Sequence, residues 1–155
     1  MFCPKVSAIE AAFRQKFSSS AQLYERAKKL FPSGVTHDGR YLEPFPVYVT
    51  HGIGSKKFSS EGVPIIDYWV GHGSLLLGHG YPAVVEAVQR QMALGTHYSA
   101  CHELELKWGE RVQKMIPSAE RLRFTNSGTE ATLMAMRVAR IVTGREKVVK
   151  FIGHF

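Results

Sequence analysis

Residues 121–152, RLRFTNSGTEATLMAMRVARIVTGREKVVKFI, constrain the fold more than any other stretch of this 155-residue chain. The run from Arg121 to Thr125 reads as a short strand. Helical spacing follows from Gly128 to about Val142, with Met134, Val138, Ile141 and Val142 facing inward and Arg137 and Arg140 outward. Gly144 supplies a C-terminal stop, and EKVVKFI reads as a further strand. Strand, helix, strand is the βαβ unit of a parallel α/β sheet. One such unit leaves the edges and faces of its sheet uncovered. With the sequence stopping at Phe155 just after a strand, the expectation is a truncated α/β fold.

The upstream half has a different texture. SSSAQLYERAKKL, Ser18 to Leu30, predicts an amphipathic helix, with the serines as N-terminal caps and Lys28 and Lys29 complementing the dipole at its end. Pro32 and Gly34 stop it. PVYVTHG, GSKKFSS and VPIIDYWV then read as three short strands of an antiparallel meander, turning at His51–Gly54 and at Glu61–Gly62. The glycine-rich GHGSLLLGHGYP, Gly71 to Pro82, leads into a helix that Pro82 opens and that runs to about Leu94. A second helix spans about His102 to Met115. The expected organisation is residues 1–80 as an N-terminal helix and β-meander segment, and 81–155 as the start of a larger domain.

At the junction of strand and helix, Ser127 followed three residues later by Glu130 forms a capping box. The same turn suits an anion. A helix N-terminus exposes unpaired N–H groups and a partial positive charge, Gly128 permits close approach to the backbone, and Ser127 and Thr129 add hydroxyl donors. In an open parallel sheet, ligands sit at the carboxyl ends of strands, where this turn lies. The residues by themselves leave open whether the turn is a cap or a ligand site.

Other classes find less support. A formal net charge of +7 raises nucleic acid, but the basic residues are scattered and match no nucleic-acid motif, so they read as solvated surface. No apolar run approaches the ~20 residues that span a bilayer. No secretory signal is visible at the N-terminus, and the cytoplasm is the expected location. The two cysteines make no disulfide framework, and the histidines show no metal-ligand spacing, so no metal site is expected. GHGSLLLGHG has neither dinucleotide-fingerprint spacing nor a phosphate-loop lysine, and reads as a loop running over a site.

FTNSGTEATLMAMRVARIVTGREKVVKF and DYWVGHGSLLLGHGYPAVVEAV together resemble class III, fold type I pyridoxal-phosphate enzymes. The resemblance runs from about Tyr24 to Phe155, and within the family it favours the glutamate-1-semialdehyde aminomutases and the related β-amino-acid transaminases. It implies a fold type I large domain, with a parallel or mixed sheet and flanking helices, beginning after the meander. It implies pyridoxal 5'-phosphate as cofactor, its phosphate bound by Ser127, Gly128 and Thr129 and its ring stacked on Phe155. Arg40 matches an arginine that binds a substrate carboxylate, a natural task for a planar guanidinium. His72 stands where the aminomutases carry a tryptophan near the substrate, and Thr36-His37-Asp38 departs from their triplet. Glu43-Pro44-Phe45-Pro46 leans toward the β-amino-acid transaminases. The Schiff-base lysine and the aspartate that holds the pyridine nitrogen are implied to lie beyond residue 155, so the chain is expected to be inactive alone. A homodimer is implied for the full protein, acting on a small amino acid or amino-aldehyde with a carboxylate. The expected reading is therefore part of an aminotransferase, with an aminomutase as the family rival. A non-catalytic anion-binding or interaction domain is the alternative from another class.

Overall fold

The Ser7 side chain accepts the Glu10 N–H at 3.1 Å and caps α1, Ala8–Lys16, a helix that the sequence reading did not expect. A computed structural model describes residues 7–153, and the chain divides into two units, Met1–Thr96 and His97–Phe155. In the first unit α2, Ser18–Ala27, follows α1 after Phe17. The expected capping of α2 by its own serines is not found. Phe17 occupies the cap position with no side-chain bond, and Ser20 is fully buried. The Ser20 N–H donates to Glu61 Oε1 at 2.6 Å, its hydroxyl donates to Oε2 at 3.3 Å, and its Oγ accepts the Tyr48 N–H at 3.1 Å. A distant carboxylate satisfies the helix start because an unpaired N–H in this buried position is costly.

The meander forms as expected. Strands β1, Val49–Ile53, β2, Lys56–Ser59, and β3, Pro64–Ile66, pair antiparallel in the order β1-β2-β3. Ile53 stands opposite Lys56, so Gly54 and Ser55 make the first turn, and His51 to Ile53 belong to the strand. The core of this unit lies between the two helices and the meander. Phe45, 2% exposed, packs with Phe17 and Tyr24, and Phe13, Val47, Tyr48 and Val63 close around them. The Phe13 and Phe45 rings approach to 5.1 Å between centroids. α3, Pro82–Met92, starts on its proline as read from the sequence.

The second unit contains α4, Glu103–Met115, and α5, Gly128–Thr143. His102 caps α4, its Nδ1 accepting the Leu104 N–H at 3.1 Å. Gly144, left-handed at φ 65°, ends α5 where expected, and its N–H donates to Arg140 O at 2.9 Å. The two flanking strands are not formed: residues 121–125 and 144–151 make no β-ladder among the described residues. A strand exists by pairing in a ladder, and neither segment joins one among the described residues. The apolar face of α5 expected to point inward is likewise largely uncovered, with Val138 54%, Ile141 81% and Val142 77% exposed.

Candidate functional site

The start of α5 carries the first set of predicted residues. Ser127 Oγ accepts the Glu130 N–H at 3.2 Å, and Glu130 Oε2 accepts the Asn126 N–H at 2.7 Å, so the capping box is built as read. These bonds leave the N–H groups of Gly128 and Thr129 with no acceptor among the described residues. A Cβ placed on Gly128 would meet nothing within 4 Å, so the backbone there is approachable. Two unspent donors, a clear approach and the positive end of a 16-residue helix fit a phosphate. The cap does not compete with an anion, because capping uses the third helical N–H and leaves the first two. Phe155 lies outside the described residues.

The first unit holds the second set. Arg40 ends the 3-10 turn Asp38–Arg40, and its Nη1 donates to Thr36 Oγ1 at 2.7 Å. His37 Nδ1 accepts the Gly39 N–H at 3.1 Å and fixes that turn. Both residues line a cleft of about 650 Å³, together with Lys57, Trp69, His72 and His79. Arg40 and His72 therefore line one cleft. The His72 ring stands edge-on to Trp69 at 5.3 Å between centroids, and His37 is 6.5 Å away on the same terms.

Two cations line this cleft and they are not equivalent. Lys57 Nζ sits 3.2 Å from Asp67 Oδ1, whereas Arg40 has a neutral hydroxyl for a partner. An arginine without a carboxylate among the described residues keeps its planar fork for an incoming one. Asp67 itself is buried, 7% exposed, and its other oxygen lies 2.7 Å from His79 Nε2. The His79 hydrogen bond, with Lys57 and the Trp69 and Val70 N–H groups, outweighs burial and holds the Asp67 carboxyl far below the usual carboxylate range. Sequence reasoning missed this cluster. Its signal was the Asp67 that ends the third strand segment and the Gly78-His79 that precede Pro82, twelve residues apart with nothing to pair them.

Among the described residues, no group of three or more His, Cys, Asp and Glu is placed to hold a metal ion, and no helix is long and apolar enough to cross a membrane.

Comparison with known proteins bears on both sites. The family model for class-III aminotransferases matches residues 39–155. A glutamate-1-semialdehyde 2,1-aminomutase of Methanocella arvoryzae is 46% identical over 140 residues, covering 90% of this chain and 33% of that protein. Among solved structures, an omega-transaminase from Sphaerobacter thermophilus superposes with a TM-score of 0.88 at 37% identity, over 93% of this chain and 33% of that one. A β-phenylalanine aminotransferase from Variovorax paradoxus does so with a TM-score of 0.84 at 29% identity, over 87% and 31%. The chain thus spans about a third of the length of the relatives it matches. These neighbours have the fold type I α/β architecture, of which this chain covers about a third.

Proposed function

The chain belongs to the class-III aminotransferase family, and from that premise we propose that it is part of a pyridoxal-phosphate-dependent aminotransferase acting on a small amino acid or β-amino acid. The observation that carries this reading is the start of α5, where the Gly128 and Thr129 N–H groups are unspent and the approach to Gly128 is clear. They hold the cofactor phosphate, with the Ser127 and Thr129 hydroxyls beside them. When bound, pyridoxal phosphate supplies an electron sink for a substrate that loses a proton beside its amino group. Phe155 stacks on its ring. Arg40 pairs with the substrate carboxylate, and His72 lines the neighbouring wall of the cleft.

In this reading none of the lysines of residues 1–155 is the Schiff-base lysine, and the chain alone does not transaminate. The intact protein is a homodimer in the cytoplasm. A glutamate-1-semialdehyde aminomutase is the second reading, supported by the name of the relative at 46% identity. His72 and the Glu43 to Pro46 segment favour the transaminase.

The phosphate role is tested in the intact protein by Gly128→Val. We expect pyridoxal phosphate affinity to fall at least about tenfold, as a side chain intrudes on a backbone anion site; unchanged affinity rejects the role. Reduction of the holoprotein with borohydride followed by peptide mapping locates the linked lysine. A label within residues 1–155 contradicts the assignment. Conversion of 3-aminobutanoate with 2-oxoglutarate marks the transaminase, and isomerisation of glutamate-1-semialdehyde with no added acceptor marks the aminomutase.

A further inference from the structure

Residues 68–80 link β3 to α3 and bring Trp69 and His72 to the cleft wall. Four successive residues in this loop, Val70, Gly71, His72 and Gly73, have φ of 40°, 60°, 57° and 82°. Valine and histidine rarely adopt this region, and residues held there persist where their surroundings over-determine them. The surroundings here converge on one carboxylate. At the loop's start, Asp67 Oδ1 accepts the Trp69 N–H at 3.1 Å. At its end, Asp67 Oδ2 meets His79 Nε2 at 2.7 Å.

The His79 backbone is anchored as well, exchanging hydrogen bonds with Gly54 at 2.8 and 2.9 Å. Its ring lies against β1 so closely that a Cβ on Gly52 would come within 2.6 Å of it. One buried acid therefore ties both ends of the loop to the hairpin, and through Lys57 it also engages β2.

We propose that Asp67 is a positioning residue for the carboxylate site: through His79 it sets the loop that presents His72, and through Lys57 it withdraws a second cation from the cleft, leaving Arg40 as the anchor. The role rests on the reading of Arg40 as the carboxylate-binding group. Asp67 touches no substrate in this account. Loss of its charge has two effects on the cleft: the strained run at residues 70–73 relaxes and moves His72, and Lys57 becomes a rival for the carboxylate.

The test uses the intact holoprotein labelled with 5-fluorotryptophan, the Trp69 fluorine line assigned by its loss in Trp69→Phe. Propionate serves as a non-reacting carboxylate probe. In Asp67→Asn and His79→Ala we expect the Trp69 line to shift or split while the Trp108 line stays in place. We expect propionate affinity to rise about tenfold in Asp67→Asn, where Lys57 is released into the cleft as a second cation, and to fall about tenfold in His79→Ala, where Lys57 stays paired and the loop alone moves, with cofactor absorbance retained in both. His79→Gln, whose amide nitrogen reaches the position of Nε2, is expected to restore both the line and the affinity.

An unmoved Trp69 line in Asp67→Asn overturns the proposal, as does unchanged propionate affinity beside a displaced line. Failure of His79→Gln to differ from His79→Ala does the same. The functional reading fails separately: propionate binding that survives Arg40→Gln removes the carboxylate anchor, while the loop spectra still judge the Asp67 and His79 variants.

Discussion

Around Phe45 and around α5 the same local grammar has been applied, and it leads to different degrees of completion. Both regions start helices with a hydroxyl-bearing residue accepting an N–H three residues on, at Ser7 and at Ser127. In the first, aromatic side chains from two helices and the segment before β1 close into a core, and buried polar groups find partners 28 and 41 residues away. In the second, α5 is capped at both ends, yet most of its apolar face stays exposed and the segments beside it join no ladder among the described residues. Caps make a helix, whereas burial makes a domain. The proposed phosphate turn needs the former; the proposed carboxylate cleft needs the latter, because its walls come from segments distant in sequence.

The sharpest break of this contrast is Phe45→Ala, which removes the most buried large side chain and is expected to destabilise the first unit by ~3–5 kcal/mol. Ile141→Ala in α5 is expected to change stability of the 155-residue chain by less than about 0.5 kcal/mol. Chemical denaturation followed by circular dichroism measures both, and comparable losses would erase the distinction. Next in size, Glu61→Ala strips the start of α2 and is expected to cost ~1–2 kcal/mol.

Acid should separate the units on the same basis. Burial disfavours the Glu61 charge, but the Ser20 N–H and the Ser59 and Ser20 hydroxyls overcome it and lower its proton affinity, and Asp67 is lowered further. A carboxyl depressed on folding stabilises above its unfolded value of about 4 and loses that contribution as pH falls toward the folded one. The first unit is therefore expected to weaken as pH drops below about 4. Asp67→Asn should flatten this dependence, read from the denaturation midpoint against pH. A more local effect is Gly144→Ala, where a left-handed cap takes on a Cβ at roughly 1 kcal/mol. It should appear as faster amide exchange in the last turn of α5, with the first unit unchanged.

What the sequence disclosed follows the same line. Ser127 with Glu130, Gly144, Pro82 and the three meander strands were legible, because their signals sit within a few residues of what they control. Helix α1 was overlooked although Ser7 and Glu10 hold the cap spacing. The capping of Ser20 by Glu61 and the joining of Asp67 to His79 had no local signature, since chain geometry alone brings them together. The strands at 121–125 and in EKVVKFI were read from side-chain pattern, but pattern states a preference that a ladder must satisfy. For the site, the cap at Ser127 and Glu130 was legible residue by residue. Arg40 and His72 came from the resemblance, and the reason Arg40 rather than Lys57 is free to bind came from the fold.

The bond from the Ser20 N–H to Glu61 also sets an order of events. A helix whose first turn is completed 41 residues later cannot finish when its own residues leave the ribosome. It must wait for the hairpin of β2 and β3 to present the carboxylate, so the slow closure of a long loop precedes its consolidation. During synthesis α2 is thus expected to flicker until residue 61 has emerged, and the meander, not the helix, sets the pace at which this part of the chain becomes protected.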